Sequence, residues 1–327
     1  MANLATWGNA LYTGKRSYPF TGRRKLWLAI SAVLVLLAIL VPVVKGGFNL
    51  GIEFRGGSEF TISKVAHTEV PIGEAAVVAI APDHHPRVTN IAPNTMRVQT
   101  DKLTDDQTLD VADALAGTYG VTRAEVTSTF VGPTWGADIS KQAMIGLAVF
   151  VVLVALLMAA YFRTWKMSLA AIIGLLQVVV ITAGIYSLSG FEVTPSAIIG
   201  FLTILSYSLY DTVVVFDKVR ENTAGFEGQT KRNFEELVNL GINQTLVRSI
   251  NTSVVAVLPV ASILFIGSYL LGAGTLKDLS LALFIGIIVS ALSTLFVQAP
   301  LYSLLRDGEP EIERHNKKIE AHRLANA

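Results

Sequence analysis

Residues 206–222 of the chain read Ser-Tyr-Ser-Leu-Tyr-Asp-Thr-Val-Val-Val-Phe-Asp-Lys-Val-Arg-Glu-Asn. This apolar segment carries one acid, Asp211, before it ends in a charged stretch that begins at Asp217. An ionised, unpaired carboxylate at membrane depth is costly, so such an acid usually faces a partner or a water-filled path and marks a functional site. We therefore expect the rest of the chain to be arranged around Asp211.

The residues that precede Asp211 place small and polar side chains on one helix face, because they recur every three or four residues. The members of this stripe are Tyr207, Thr203, Gly200 and Ser196. In lipid, such a stripe is typical of a tightly packed helix interface and not of a lipid-facing surface. The alternative interpretation is a neutral, hydrogen-bonded Asp that serves only helix packing.

The composition is that of an integral membrane protein. Of the 327 residues, 52% are hydrophobic and only 16% are charged, against about 25% charged residues in soluble domains. The absence of cysteine excludes disulfides and thiolate chemistry. The basic residues are divided between the membrane sides and form no patch, so nucleic acid is not an expected partner. We interpret the adjacent His84 and His85 as a solvated loop and expect no metal site.

Several apolar stretches are long enough to cross a membrane. They are residues 26–44, 143–162, 167–188, 194–216, 246–267 and 279–305. The first is too long for a signal peptide and lacks a cleavage site, so it is expected to remain as a spanning helix. Basic residues concentrate in the N-terminal segment, in the connections after the second and fourth helices and in the tail, whereas the opposite short connections hold only Lys277. This distribution places both termini in the cytoplasm.

Residues 46–140 have ordinary polarity and contain segments too short to span a membrane, so they predict a separate domain outside the cytoplasm. Its expected order is β-α-β-β-α-β, which is the ferredoxin-like split unit. The predicted elements are residues 58–63, 72–81, 88–91, 96–99, 105–119 and 124–131. The Gly56-Gly57 pair predicts a tight turn, because no phosphate-binding loop spacing follows it. The expected fold class is a polytopic α-helical membrane protein with six transmembrane helices and one extracytoplasmic ferredoxin-like α+β domain.

The pattern also predicts how the chain is divided. The expected parts are a cytoplasmic segment at 1–25, the first transmembrane helix at 26–45, the extracytoplasmic domain at 46–140, helices two to six at 141–305 with a cytoplasmic loop at about 217–245, and a cytoplasmic tail at 306–327. Within the loop, residues 228–241 mix apolar and charged side chains, which fits either a short amphipathic helix on the inner membrane surface or a solvated loop helix. The tail is expected to be helical and mobile.

The fourth and fifth helices run in opposite directions, so residues near their cytoplasmic ends can meet. Asp211 and Arg248 have similar depths at about 1.5 Å per residue, and we expect them to form a proton-coupling pair. Protonation of Asp211 would free Arg248, and deprotonation would recapture it. The alternative is a static salt bridge. The expected supporting polar face consists of Thr203, Tyr207, Tyr210, Asn251, Thr252, Ser290 and Thr294.

Two further interpretations compete with proton coupling. Tyr210-Asp211 in a membrane helix resembles half of an intramembrane aspartyl protease site, but such a dyad needs a second carboxylate, which the apolar centres of helices five and six do not offer. We therefore expect no enzyme and no catalytic residue. A scaffold without an energetic role stays open, and it predicts that neutralising Asp211 leaves function intact. Sodium coupling also stays open, since Ser, Thr and Asp oxygens could ligate that ion.

Four motifs lie along the chain, and they are Gly51-Ile-Glu-Phe-x-Gly-Gly57, Val131-Gly-Pro-x-x-Gly136, Tyr207-Ser-Leu-x-Asp-Thr-Val-Val-x-Phe-Asp-x-x-Arg-Glu-Asn222 and Asn243-Gln-Thr-Leu-x-Arg248. Together they resemble the motifs of the SecF family, the six-helix subunit of the bacterial SecDF complex in the resistance-nodulation-division superfamily. The resemblance covers nearly the whole chain. The family usually has Asn where Tyr210 stands and Asp where Glu53 stands, and the bulkier Tyr210 alters the expected hydrogen bonding of the proton site.

The resemblance implies a multi-pass protein of the bacterial cytoplasmic membrane that works with SecD beside the SecYEG translocon. SecA and a YidC-type insertase are further candidate partners. Such a protein draws the translocating polypeptide across the membrane at the late stages of export, uses the proton motive force and needs no cofactor. In the family, the residues that match Asp211 and Arg248 move protons. A proton-driven lipid or small-molecule exporter is an alternative within the superfamily, although the small outer domain offers little room for a substrate cavity.

Overall fold

The computed structural model describes residues 2–162, 164–267 and 274–325. In chain order the elements are α1 (Ala2–Tyr12), α2 (Arg24–Val44), α3 (Ile52–Arg55), β1 (Gly57–Ser63), α4 (Val70–Ile80), β2 (Arg87–Ala92), β3 (Thr95–Thr100), α5 (Asp105–Tyr119), β4 (Val126–Val131), α6 (Pro133–Phe162), α7 (Trp165–Ser189), α8 (Pro195–Thr223), α9 (Phe234–Ser262), α10 (Gly274–Ser293), α11 (Ala299–Arg306) and α12 (Pro310–Ala325).

Six helices of the described ranges are long and apolar enough to cross a membrane, and they are α2, α6, α7, α8, α9 and α10 with its continuation into α11. The predicted number of spans is confirmed. Helices α7, α8 and α10 form the inside of the bundle, while α2, α6 and α9 lie on its outside. Helix α8 packs against both α9 and α10. Asp211 therefore sits where three helices meet.

The amphipathic-helix prediction for residues 228–241 required a separate helix. The structure has none there, because most of this stretch is the first part of α9. Asn233 starts α9 with a capping box, in which its side chain accepts from the Glu236 backbone N–H at 2.8 Å and its own N–H donates to the Glu236 carboxylate at 3.0 Å. Gly241 lies within α9 and packs so closely on Val219 of α8 that a Cβ would overlap it. The apolar side chains of this stretch thus face the bundle.

The domain that follows α2, called the outer domain below because it lies outside the helix bundle, has the predicted order β-α-β-β-α-β. Its antiparallel sheet has the strand order β2-β3-β1-β4. Side chains alternate along each strand, so one face of the sheet packs on α4 and α5. The buried members of that core include Phe60, Ile62, Met96, Val98, Leu115 and Tyr119. The opposite sheet face carries Glu59, Arg97 and Gln99, and it faces the membrane bundle.

The Gly56-Gly57 pair makes the tight turn that the sequence predicted. Gly56 has φ 77° and Gly57 has φ 135°, which are backbone conformations that side chains with a Cβ rarely adopt. A Cβ on Gly57 would also meet the carbonyl oxygen of Thr100 on the neighbouring strand. The turn therefore lets the chain pass directly from α3 into β1.

The two termini and the α8–α9 connection lie together at the end of the bundle opposite the outer domain. Helix α1 packs on α9, and α12 packs on α9 and on the turn Phe226–Gly228. The expectation of a mobile tail is wrong for the described part of α12. His315 and Ile319 are buried there, and Arg323 forms an ion pair with Glu236 at 2.6 Å. His315, Ile319 and Arg323 recur every four residues, so they lie on one face of α12 and fix the tail against α9.

Candidate functional site

Asp211 lies inside the bundle with 3% of its surface exposed. Its Oδ1 accepts a hydrogen bond from the Ser249 hydroxyl of α9 at 2.7 Å. Its Oδ2 has no hydrogen-bond partner in the described part of the molecule. Buried polar atoms are nearly always paired, so an unpaired carboxylate oxygen of this kind points to a proton, a water molecule or a function.

Arg248 does not form the expected direct pair with Asp211. The Arg248 side chain is exposed and donates to the Tyr210 hydroxyl at 3.3 Å. Successive helix residues point about 100° apart, so Asp211 and Ser249 meet on the inner side of the α8–α9 contact, and Tyr210 and Arg248 meet on its outer side. Within the described ranges, no hydrogen bond joins the guanidinium to the Asp211 carboxylate.

Helix α10 supplies the other wall of the site. Ser290 and Thr294 are fully buried, as the predicted polar face required. The Thr294 hydroxyl donates to the Ser290 backbone carbonyl at 3.1 Å and lies close enough to act on the Asp211 carboxylate. The Ser290 hydroxyl has no partner in the described ranges. Thr294 is thus the α10-side hydroxyl that lies near the acid, and Ser290 lies one turn before it.

A π-helical turn, Thr294–Gln298, brings a further amide into this wall. Such turns occur frequently at functional sites. The Thr212 hydroxyl donates to Gln298 Oε1 at 2.7 Å, one residue beyond Asp211. A Cβ on Gly174 of α7 would overlap the Gln298 side chain, so this glycine creates the space in which Gln298 lies. Gln298 joins α7, α8 and the end of α10 around the acid.

The sequence analysis did not identify Ser249, Thr212, Gln177 or Gly174 as parts of the site. Ser249 directly follows Arg248, and the charged Arg248 was the predicted partner of Asp211. Gln177 lies in the apolar stretch of α7, and its Oε1 accepts from the Ser293 hydroxyl at 3.3 Å. Lone polar residues in the middle of spanning segments were the available signal for Gln177.

The other predicted residues form a polar strip on the outside of α8 and α9. We use this name for Thr203, Tyr207, Tyr210, Arg248, Asn251 and Thr252, which are exposed or half-buried. The Tyr207 hydroxyl donates to Ser253 at 3.2 Å. The Thr203 and Thr252 hydroxyl groups donate to carbonyls of their own helices, at 2.8 and 2.7 Å. The strip therefore lies beside the acid site and faces away from the bundle.

The structure brings neither a dyad nor a metal centre to Asp211 within the ranges it describes. Asp217, the next acid along α8, accepts from the Tyr161 hydroxyl at 2.6 Å and pairs with Arg220 near the C-terminal end of the helix. No group of His, Cys, Asp and Glu in these ranges could hold a metal ion. The ring of His84 contacts the Lys102 carbonyl oxygen at 3.2 Å in the outer domain.

A single buried carboxylate among hydroxyl and amide groups can hold or release a proton. In the neutral state, protonated Oδ2 can donate to the Thr294 hydroxyl oxygen. In the ionised state, the Ser249 hydroxyl stabilises one carboxylate oxygen, and the exposed Arg248 is the preceding residue of α9. The two states therefore favour different positions of the surrounding side chains.

Comparisons with known proteins agree with this architecture. The family model described as "Protein export membrane protein SecD/SecF, C-terminal" matches residues 110–308, and the "SecD/SecF GG Motif" matches residues 43–63. "Protein translocase subunit SecF" of Streptomyces coelicolor is 42% identical over 100% of this chain and 87% of that protein. The protein of the same name from Mycobacterium tuberculosis is 41% identical over 94% of this chain and 72% of that protein.

A solved structure has the same fold. The crystal structure of SecDF, described as a translocon-associated membrane protein from Thermus thermophilus, superposes with a TM-score of 0.78 at 30% identity. The match covers 89% of this chain and 39% of the SecDF chain. This chain thus spans about two fifths of that longer protein.

Proposed function

The chain belongs to the SecD/SecF family of protein-export membrane proteins and has a role in protein export, and we propose that it works with SecD to couple the proton motive force to the late stages of export. In this proposal it is not an enzyme and needs no cofactor other than the proton gradient. It would lie in the bacterial cytoplasmic membrane with both termini in the cytoplasm, as the distribution of basic residues predicts.

The observation that carries the proposal is the buried Asp211 carboxylate, whose Oδ2 is unpaired in the described structure. An ionisable group inside a membrane is energetically costly, and such a group is rarely present without a function. One charge that crosses the membrane potential gains about 2.3 kcal/mol per 100 mV. Proton binding and release at Asp211 can therefore bias a conformational equilibrium between two states.

Arg248 supplies the element that responds to the charge of Asp211. In this structure it rests on Tyr210, at the outer side of the α8–α9 contact. When Asp211 is ionised, the charge attracts the guanidinium inward and away from Tyr210. When Asp211 is protonated, that attraction vanishes and the Tyr210 contact is favoured. Tyr210, at the position where the family usually has Asn, would thus set the resting position of Arg248.

The polar strip supports the need for a membrane partner. Arg248 and Asn251 are exposed on membrane-spanning α9, although such side chains are costly in contact with lipid. A partner bundle that covers the strip removes this cost, as in transporters built from two similar halves. SecD is the partner that we propose for the strip. SecYEG, SecA, a YidC-type insertase and the translocating polypeptide are the further proposed partners.

Export into membrane vesicles tests the proposal. Vesicles that carry SecD and the translocon would be prepared with and without this chain, and a proton gradient would be imposed or collapsed after the ATP-driven phase. We expect the gradient to stimulate completion of export only when the chain is present. Equal completion with and without the gradient would leave the non-energetic scaffold as the better account, and gradient-driven release of lipid instead of protein would favour the exporter.

A further inference from the structure

The outer domain meets the membrane bundle through a cluster of charged and amide side chains. Glu192, in the connection between α7 and α8, accepts from Arg97 at 3.2 Å and from Gln99 Nε2 at 3.1 Å. Both donors lie on β3, on the sheet face opposite the domain core. Glu192 is 8% exposed and Gln99 is 1% exposed. A carboxylate of the bundle is thus buried against the sheet of the outer domain.

A second carboxylate completes the cluster from within the domain. Glu59 of β1 accepts from Gln99 Nε2 at 2.8 Å, and it lies 3.6 Å from Arg97. The Gln99 amide therefore bridges two acids, and the Arg97 guanidinium lies close to both. We call Glu59, Arg97, Gln99 and Glu192 the Glu192 clamp. Removal of one partner from such a buried pair leaves an uncompensated charge, so the clamp resists separation of its two halves.

Backbone contacts hold the same connection from the other side. The Gly51 N–H donates to the Val193 carbonyl at 3.0 Å, and the Val193 N–H donates to the Asn49 carbonyl at 2.7 Å. The Asn49 side chain donates to the Gly190 carbonyl at 2.8 Å. Residues 190–193 therefore lie between the base of the outer domain and its sheet.

This connection leads directly into the helix that carries Asp211. Thr194 caps α8, because its side chain accepts from the Ala197 N–H at 3.3 Å, and its hydroxyl donates to Asp278 of α10 at 3.4 Å. Helix α8 then continues without interruption past Asp211. A shift or tilt at either end of a rigid helix is transmitted to the other end.

From these contacts we infer that the Glu192 clamp fastens the outer domain to the start of α8, so that the domain and the helix that carries Asp211 move as one body. The inference that the clamp exists as a mechanical link is independent of proton coupling. Its role in energy transfer rests on the proposed function. A cavity of about 170 Å³, lined by Asn90, Phe191 and Asp278 among others, lies beside the clamp and leaves this contact open to water on one side.

The absence of cysteine makes the link directly measurable. Spin labels would be attached at Asp110→Cys on α5 and Leu258→Cys on α9, both at exposed positions, and their distance distribution would be recorded in the full chain by pulsed electron paramagnetic resonance. We expect one narrow distribution in the native background. In Glu192→Gln and in Arg97→Gln, we expect a broadened or shifted distribution, because the sheet is released from the connection.

Two controls separate release from misfolding. Lys64→Gln removes the exposed lysine of the Lys64–Glu125 pair, which joins two parts of the outer domain at 3.0 Å, and it should leave the distribution unchanged. Labels at Asp110→Cys and His67→Cys report on the domain alone, and their distance should stay native in Glu192→Gln. An unchanged distance between positions 110 and 258 in Glu192→Gln, with the native distance between 110 and 67, overturns the inference.

Export assays on Glu192→Gln then distinguish the clamp from the proposed function. If the label distance shifts and gradient-driven export falls, the clamp transmits the effect of the gradient. If the label distance shifts while gradient-driven export stays at the native level, the role of the clamp in energy transfer is refuted and the proposed function stands. If the native chain itself shows no response to the gradient, the proposed function fails, and the label distances still decide whether the clamp exists.

Discussion

The Asp211 carboxylate of α8 accepts a hydrogen bond from the Ser249 hydroxyl of α9 at 2.7 Å, and both side chains are buried. The neighbouring pair, Tyr210 and Arg248, makes the parallel contact on the outside of the same helix seam. The acid and the base that the sequence predicted as a couple are therefore held by two different partners. The predictions that follow depend on this separation.

Ser249→Ala removes the hydroxyl that pairs with Asp211 Oδ1. A buried acceptor left without its donor costs about 1–3 kcal/mol, so we expect the detergent-solubilised chain to be destabilised by that amount in equilibrium unfolding. Ser253→Ala is the matched control, because Ser253 lies one turn along α9 and accepts from the half-buried Tyr207. A smaller loss for Ser249→Ala than for Ser253→Ala would contradict the assigned pairing.

Arg248→Ala removes the exposed cation of the polar strip. Its hydrogen bond to Tyr210 lies on the surface of the isolated chain, so we expect unchanged stability of that chain, together with loss of gradient-driven export and weaker association with SecD. Co-purification with tagged SecD measures the association. Arg314→Ala, in the exposed part of α12, should leave both properties unchanged. Normal association and export by Arg248→Ala would show that the strip is neither a partner surface nor part of the coupling.

Gly174→Ala introduces a Cβ that overlaps the Gln298 side chain. Overpacking of this kind costs about 1–3 kcal/mol, and the displaced Gln298 would lose its contact with Thr212. We expect the cost to be smaller in a Gln298→Ala background, which a double-mutant cycle of unfolding free energies measures. Gly146→Ala in α6, where no atom lies within 4 Å of the new Cβ, should be neutral or slightly stabilising. Additive costs for positions 174 and 298 would contradict the assigned packing.

Glu53 gives the outer part of the chain a pH-dependent stability. Burial raises the pKa of the Glu53 carboxyl above its ordinary value. The negative charges of Glu59 and Glu192 raise this pKa further, whereas the Glu53 backbone N–H and the Arg97 charge lower it. The folded state thus favours the protonated form of Glu53. The contribution of Glu53 to folding stability is therefore complete below the ordinary pKa of Glu, and it is lost as the pH rises through the raised pKa of the folded state.

Glu53→Gln stays neutral at every pH, which removes that dependence. We expect the variant to unfold at a higher temperature than the native chain at neutral pH, and the two melting temperatures to converge near about pH 4, where a free Glu is half protonated. Thermal unfolding across this pH range measures the difference. A variant less stable than the native chain at neutral pH would indicate that ionised Glu53 is stabilised in the folded state.

Much of the fold followed from the sequence because spans and strands are repetitive local patterns. The six spans and the order of the outer domain depend on runs and alternation of apolar residues, which the chain shows directly. The Gly56-Gly57 turn was also predictable, since few residues other than glycine adopt such angles. The burial of Asp211 agrees with the expected cost of a charged side chain in the membrane, whereas Thr203 of the same predicted stripe is exposed.

The site was only partly predictable because periodicity fixes the faces of one helix and not its rotation against a neighbour. A rotation by one residue separates Ser249 from Arg248, and it decides that the serine, not the arginine, touches the acid. The π-helical turn that brings Gln298 to the site was not predictable from any local sequence pattern. The Glu192 clamp joins residues far apart in the chain, and isolated charged residues gave no signal of that contact.

The central claim is that protonation of Asp211 couples the gradient to export, and Asp211→Asn tests it most directly. The variant keeps the size of the side chain but cannot ionise, and Asp217→Asn, on the same helix, is the matched control. In vesicles with SecD and the translocon, we predict that Asp211→Asn assembles normally and completes export only at the rate seen without a gradient, while Asp217→Asn responds as the native chain does. Full gradient stimulation of export by Asp211→Asn would contradict the account.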